Sequence, residues 1–294
     1  MKKAGYVSIL GRPNVGKSTL LNQFLHHELS IVTPKPQTTR SRIMGILNEK
    51  RGQVLFLDTP GIFQPKLRLH EKMVNSAFQT FREADILLLM VEPERAELNG
   101  KILSHLKQKK KPTILAINKI DTVVKESLLP QIEEYRNLFP FDEIIPISAL
   151  KQDGLEDLLN VIFHYLPEGE PFYPEEFLSE SPERFFVQEI IREKIFLLYG
   201  EEIPYSTAVV VDEFREAESS EKKGKDYIRA LIYVEKESQK PILIGKKGDS
   251  LKRVGRRARE EIESFLGRPV YLDLWVKVRK DWRKKEVDLK EFGY

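Results

Sequence analysis

The sequence predicts an α/β domain, with a mainly parallel sheet and helices on both faces, followed by a smaller α+β domain. Three observations carry this. Short apolar runs rich in β-branched residues alternate with helical patterns up to residue 166. The stretch 167–182 (PEGEPFYPEEFLSESP) holds four prolines, which break regular elements and mark a junction. After it the order changes to helix, two strands, helical segments and a last strand.

In the first part the expected strands are residues 5–10, 53–57 (QVLFL), 85–91, 113–117 (TILAI) and 144–147. A further strand, 42–49 (RIMGILNE), pairs with 53–57 through the turn at Lys50-Arg51-Gly52. Helical patterns cover 17–27, 70–83, 97–109, 125–138 and 154–165. Such alternation implies parallel strands joined by helices, with ligands held at the carboxyl ends of the strands. We set the domains at 1–170 and 183–294, with 171–182 as linker. In the second, a helix over 183–199 precedes strands 205–214 (YSTAVVVDEF) and 226–236 (DYIRALIYVEK). A basic helix over 250–266 and a strand over 269–279 follow, then a basic tail. If the apolar stretch before Gly245 is helical, the order is α-β-β-α-α-β.

Composition narrows the function. With 294 residues and 41% hydrophobic, the chain can bury two cores. It has no cysteine, which excludes disulfides, zinc-thiolate sites and cysteine nucleophiles and suits a reducing compartment. The longest apolar run, Ile86 to Val91, is far short of the ~20 residues of a membrane span, and the N-terminus is no secretory signal. We expect a soluble cytoplasmic protein and a monomer. The net charge is only +3, yet residues 240–285 hold fifteen basic and six acidic groups, which points to a polyanionic partner. The five histidines show no metal-ligand spacing.

The stretch Gly11-Arg12-Pro13-Asn14-Val15-Gly16-Lys17-Ser18-Thr19 follows a strand and opens a helix. In that context G-x-x-x-x-G-K-[ST] is a phosphate loop. Its glycines let backbone N–H groups face phosphate oxygens, and the helix N-terminus adds positive dipole. Lys17 would reach the β and γ phosphates, and Ser18 would ligate Mg²⁺. Asn118-Lys119-Ile120-Asp121 selects the base. The Asp121 carboxylate can accept from guanine N1–H and N2–H₂ together, a donor pair that adenine lacks. Asn118 can tie this loop to the phosphate loop, and the Lys119 stem can cover the base. Ser148-Ala149-Leu150, after the last strand, offers a backbone N–H to guanine O6.

Asp58-Thr59-Pro60-Gly61 would be the sensor: Asp58 near Mg²⁺, the Gly61 N–H on the γ-phosphate, so that loss of the phosphate frees the following loop. In Gln37-Thr38-Thr39-Arg40 one threonine completes the Mg²⁺ shell; Thr39 is favoured and Thr38 is its rival. These elements together predict a GTPase. Ras-like enzymes orient the attacking water with a glutamine after the sensor glycine. Here that position is Ile62, so backbone groups of Gly61 and Thr39, or another segment or partner, must do so.

In the second domain Ile242-Leu243-Ile244-Gly245-Lys246-Lys247-Gly248 places a G-x-x-G loop between two helical segments. This resembles a KH domain of type II, whose loop clamps about four single-stranded nucleotides. Lys246 and Lys247 supply charge, and Lys252, Arg253, Arg256, Arg257 and Arg259 follow. Residues 252, 256 and 259 share a helix face as a basic wall. Ile242 and Ile244 are candidates for an apolar floor, and Lys277, Arg279, Lys280, Arg283, Lys284 and Lys285 extend the basic character into the tail. DNA remains the other nucleic acid that such a surface could take.

GRPNVGKS, QTTR, DTPG, NKID and SAL followed by this basic domain resemble the bacterial Era-type GTPases over nearly the whole chain. The resemblance implies binding of the 3′ end of 16S ribosomal RNA and a role in maturation of the small (30S) ribosomal subunit. It implies a K⁺ ion beside Asn14 that stands in for an arginine finger, and peripheral contact with the inner membrane face. The alternatives are a GTPase acting on tRNA and a general RNA chaperone.

Overall fold

The computed structural model describes residues 2–93, 98–108, 111–217 and 224–294. The chain divides into two compact units. The first comprises Met1–Val32, Thr39–Gln64 and Met73–Glu180; the second comprises Ser181–Tyr294 with the stretches Thr33–Thr38 and Pro65–Lys72.

The first unit is built on a six-stranded sheet ordered β2-β3-β1-β4-β5-β6. Its strands are β1 (Lys3–Gly11), β2 (Ile43–Glu49), β3 (Gly52–Asp58), β4 (Ile86–Val91), β5 (Thr113–Ile117) and β6 (Glu143–Pro146). All neighbours are parallel except β2 and β3, the expected hairpin. The continuous apolar runs of β3, β4 and β5 suit strands covered on both faces. One face carries α2 (Arg68–Glu83), α3 (Gly100–Gln108) and α4 (Leu128–Leu138), which bury Ala77, Phe81, Ile102, Leu106 and Tyr135 against Leu10, Leu89 and Leu115. On the other face lies α1 (Lys17–Leu25), with Phe24 stacked on Phe56 at 5.0 Å. Helix α5 (Leu155–Tyr165) buries Leu155, Leu158, Ile162 and Phe163, an i, i+3, i+7 stripe.

Some boundaries differ from the expectation. α1 stops at Leu25 because His26 turns left-handed, with φ 50°. Residues 125–127 form a 3₁₀ turn before α4. Residues 97 and 109 of the third expected helix lie outside the described residues. The proline-rich segment is not loose. Ile46 N–H donates to Leu178 O at 2.9 Å, and Ser179 Oγ donates to Met44 O, so the free edge of β2 is covered. Gln53, fully buried, bonds Tyr173 O and the N–H groups of Phe172 and Tyr173.

The second unit has a three-stranded sheet, β7 (Ala208–Arg215), β8 (Asp226–Val234) and β9 (Val270–Val278), with β7/β8 antiparallel and β8/β9 parallel. α6 (Glu183–Leu198), α8 (Gln239–Ile244) and α9 (Asp249–Leu266) complete the expected α-β-β-α-α-β order. The one departure is a short helix, α7 (Ile203–Ser206), where a strand was expected; Pro204 sits in its first turn and Thr207 Oγ1 bonds Ile203 O. On α9, Val254, Ala258 and Ile262 recur every fourth residue and join Ile191, Ile195, Ile228, Ile232 and Val270 in the core.

The basic tail is folded against the second unit. Trp282 is fully buried and donates to Ser206 O at 2.8 Å, and α10 (Glu286–Glu291) brings Phe292 onto Tyr233. Arg279 is paired with Asp288 and Glu291, Arg283 with Glu235, and Lys284 with Asp281. No helix among the described residues is long and apolar enough to cross a membrane.

Candidate nucleotide site and nucleic-acid groove

Parallel strands deliver their carboxyl ends to one edge of the sheet, and the expected motifs of the first unit meet there. The loop after β1 turns through positive φ at Gly11 (153°), Asn14 (64°) and Gly16 (100°) and enters α1. Lys17 Nζ bonds the Arg12 carbonyl at 2.8 Å, beside that of Gly11 at 3.4 Å. Burial pushes the Lys17 ammonium down to about 8, against the pull of the Asp58 charge. Burial likewise pushes the Asp58 carboxyl up, opposed by Lys17 and by hydroxyls from Ser18 and Ser30. Both shifts disfavour the charged forms, and a bound phosphate and cation would offset them.

Ser18, Thr39 and Asp58 come together. Ser18 Oγ lies 2.7 Å from Asp58 Oδ2 and 3.0 Å from Thr39 Oγ1. Asp58 Oδ1 is buried and has no hydrogen-bond partner among the described residues. Two hydroxyls and a carboxylate with an unused buried oxygen are hard oxygen donors, the set that suits Mg²⁺. Of the two threonines, Thr38 spends its hydroxyl on Thr33 Oγ1 (2.6 Å) and Lys35 O (2.8 Å).

The remaining sensor residues are structural in part. Thr59 Oγ1 donates to Ile9 O at 2.8 Å and binds the end of β3 to β1. A Cβ on Gly61 would fall 2.5 Å from Pro13 N, so glycine allows the sensor to touch the phosphate loop. Ile62 N–H bonds Gly11 O, and its side chain is buried with Leu10, Ala77 and Phe81. At the base end, Asn118 donates to Val15 O and accepts from the Ala149 N–H, both at 2.8 Å. Ser148 Oγ donates to Asp121 Oδ1 at 2.5 Å. Lys119 is left-handed (φ 66°) and paired with Glu92. Leu150 is exposed, as are Arg12 and Asn14.

Ser30 went unnoticed in the sequence. It is buried and donates to Asp58 Oδ2 at 2.7 Å. Asn22 fixes it, accepting from Leu29 N and Ser30 N and donating to Ser30 O. A lone serine in a loop carries no spacing signal.

In the second unit the tetrad follows α8. Gly245 and Gly248 have φ of 76° and 82°, and Lys246 and Lys247 are exposed between them. Beside it, α9 and β9 enclose a groove of about 600 Å³. Lys252, Arg256 and Arg259 form its basic wall, as the spacing predicted, and Lys225 joins them. Arg253 and Arg257 are exposed but do not line this groove. The expected floor differs. Ile244 packs into the core and Ile242 is exposed elsewhere, whereas Leu251, Leu272 and Leu274 form the apolar surface. Gly255 was also missed: a Cβ there would meet Leu274 Cδ1 at 3.4 Å, and a glycine inside a helix, which costs about 1 kcal/mol against alanine, was its signal.

Comparison with known proteins finds matches for both units. Residues 6–119 match the family described as 50S ribosome-binding GTPase, and residues 202–283 match the KH domain. The chain is 50% identical over 294 residues to GTPase Era of Geotalea uraniireducens (strain Rf4), covering 99% of this chain and 98% of that one. It is 51% identical to GTPase Era of Syntrophus aciditrophicus (strain SB), covering 100% and 96%. Among solved structures, an Aquifex aeolicus Era variant bound to GDP and AlF₄⁻ superposes with a TM-score of 0.94 at 45% identity, covering 99% of each chain. Era in complex with MgGDPNP and nucleotides 1506–1542 of 16S ribosomal RNA superposes with a TM-score of 0.95 at 45% identity, covering 100% of this chain and 99% of that one. The chain belongs to the Era family of GTPases.

Proposed function

We propose that the protein is a Mg²⁺-dependent GTP switch that binds the 3′ end of 16S ribosomal RNA and acts in maturation of the 30S subunit. The match to a relative solved with both MgGDPNP and that RNA, over nearly the full length of each chain, carries this reading. The G domain spans residues 1–170, and the KH domain spans 183–294 after the connecting segment 171–182. Residues 11–19 and 58–62 bind the phosphates, and Asn118, Lys119, Asp121 and residues 148–150 bind guanine. Ser18, Thr39 and Asp58 would hold Mg²⁺, which would neutralise charge on the phosphate oxygens. Lys17 draws charge from the β and γ phosphates, and backbone groups of Gly61 and Thr39 orient the attacking water. The Ile62 side chain does not orient the water, since it is packed in the core. Asn14 would hold a K⁺ ion, which would supply further positive charge; equal turnover in K⁺ and Na⁺ sinks that element.

RNA lies along the tetrad and the groove between α9 and β9. We place the protein in the cytoplasm, with any membrane contact peripheral and electrostatic. The test is crosslinking in cell extract with the protein held in GTP-analogue and GDP states, then sequencing of bound RNA. Reads at the 3′ end of 16S RNA, stronger with the analogue, are expected. Reads on tRNA, or none above background, overturn the ribosomal role.

A further inference from the structure

The sheet of the second unit buries one face along its length and the other only in part. Along β8 and β9, Ile228, Ala230, Ile232, Val270 and Val276 point into the core. The alternate residues Tyr227, Tyr271, Asp273 and Trp275 stand on the opposite face. At one end of that face Phe292 covers Tyr233. The other end is open, and Tyr271 and Trp275 are 59% and 56% exposed.

These rings are held in place. Tyr271 is the cross-strand partner of Tyr227 and stacks on it, with centroids 5.8 Å apart and planes 13° from parallel. Asp273 Oδ2 accepts from Trp275 Nε1 at 2.8 Å and from Tyr227 Oη at 3.2 Å. The Arg215 guanidinium lies over the Tyr227 ring at 4.9 Å. One carboxylate and one cation thus fix three aromatic rings at the surface. Ordered, exposed aromatic side chains are costly to leave in water and mark binding surfaces. A ring fixed in advance also loses little freedom when a base stacks on it.

We propose that this face continues the RNA track of the groove, with Tyr271 and Trp275 stacking bases of the strand that leaves it. The inference rests on the RNA-binding reading given above. Continuity decides the occupant: Tyr271 lines the groove beside Lys252 and Arg256 and also begins the outer row. β9 is the edge strand of its sheet, so a chain leaving the groove passes onto the outer face by rounding one strand. Four residues of strand separate the two rings by about 13 Å, which leaves room for a base on each. Exposed Lys277, two residues beyond Trp275, supplies a cation for the backbone there. Aromatic stacking tolerates any base, so the face adds affinity and length rather than sequence preference.

The test uses the full-length protein and RNAs lengthened from four to twelve nucleotides within the 3′-terminal 16S segment. Affinity of the unaltered protein should keep rising beyond the length that fills the groove. Trp275→Ala should bind the four-nucleotide RNA as the unaltered protein does and the twelve-nucleotide RNA about tenfold or more weakly. Trp275→Phe should recover most of the loss. Trp275 fluorescence should be quenched by the long RNA alone; Trp282, the only other tryptophan and fully buried, gives a constant background. Unchanged binding of the long RNA by Trp275→Ala, with no quenching, overturns the proposal and leaves the face to a protein partner. If the unaltered protein binds none of these RNAs better than heparin, the RNA-binding reading falls with it. That outcome is told apart by Lys246→Ala and Lys247→Ala having no effect.

Discussion

Gly16 and Asn118 occupy one another's space: a Cβ on Gly16 would fall 2.2 Å from Asn118 Nδ2. The amide uses that closeness to reach Val15 O while its oxygen accepts the Ala149 N–H. One buried side chain therefore sets the distance between the phosphate loop and the segments 118–121 and 148–150. Asn118→Ala leaves a buried carbonyl and a buried N–H without partners, which costs about 1–3 kcal/mol for each. We expect a lower melting temperature and at least tenfold weaker GDP binding by calorimetry. Gly16→Ala should be worse, because strain at φ 100° adds to the collision. Nucleotide affinity in Gly16→Ala equal to the unaltered protein would contradict this account.

Asp121 carries the base assignment, with Ser148 Oγ steadying one of its oxygens. In Asp121→Asn the new amide can donate to the 2-oxo group of xanthine, which replaces the amine of guanine. Competition binding should show GTP affinity falling and xanthosine triphosphate affinity rising. Unchanged preference for GTP would show that another residue reads the base.

Ser30 is an orienting contact of Asp58. Ser30→Ala removes one of the two hydroxyls on Oδ2 and leaves Ser18 in place. The loss of one hydrogen bond to a charged group costs about 1.5–3 kcal/mol. The Mg²⁺ concentration for half-maximal GTP hydrolysis should rise severalfold, and Ser30→Thr should restore it. The same Mg²⁺ dependence in Ser30→Ala and the unaltered protein would reduce this contact to a packing detail.

The contrast between Ser30 and Ser18 shows where the sequence was legible. Ser18 stands in a motif whose spacing reflects a turn, a helix start and a ligand at once. Ser30 reaches the same carboxylate through a loop shaped by Asn22, and nothing local marks it. The same holds for charge. Lys252, Arg256 and Arg259 were readable because a helix repeats every 3.6 residues. Arg279 and Arg283 counted as basic in sequence, but Asp288, Glu291 and Glu235 pair with them in the fold. Gln53 is similar: a polar residue inside strand QVLFL gave no sign that it would hold the backbone at Phe172 and Tyr173.

Ile62 tests the catalytic argument. Ras-like enzymes place glutamine at this position, and by that analogy Ile62→Gln speeds hydrolysis. The structure predicts the opposite. The side chain is buried among Leu10, Ala77 and Phe81, and a glutamine amide there finds no partner in the apolar cluster. The variant should lose about 1–3 kcal/mol of stability with no gain in kcat. A rise in kcat without loss of stability would show that the sensor loop turns outward in the GTP state.

The two tetrad glycines should not be equivalent, although the motif treats them alike. Gly248 is left-handed (φ 82°, ψ 8°), which costs another residue about 1–2 kcal/mol, whereas Gly245 (φ 76°, ψ 175°) lies in a region that is essentially glycine's alone, at about 1–3 kcal/mol. At Gly245 a Cβ would also fall 2.3 Å from Ser250 Oγ and 2.9 Å from Ser250 N, the latter a backbone atom that cannot swing aside. At Gly248 it would meet nothing within 4 Å. Gly245→Ala should therefore displace the start of α9, lower the melting temperature more, and weaken binding of short RNA more than Gly248→Ala. Equal losses in the two variants would mean that neither the backbone conformation of Gly245 nor the approach of Ser250 outweighs the left-handed turn at Gly248. A greater loss at Gly248 would mean that RNA itself comes close there, filling the open space that an added methyl group would take.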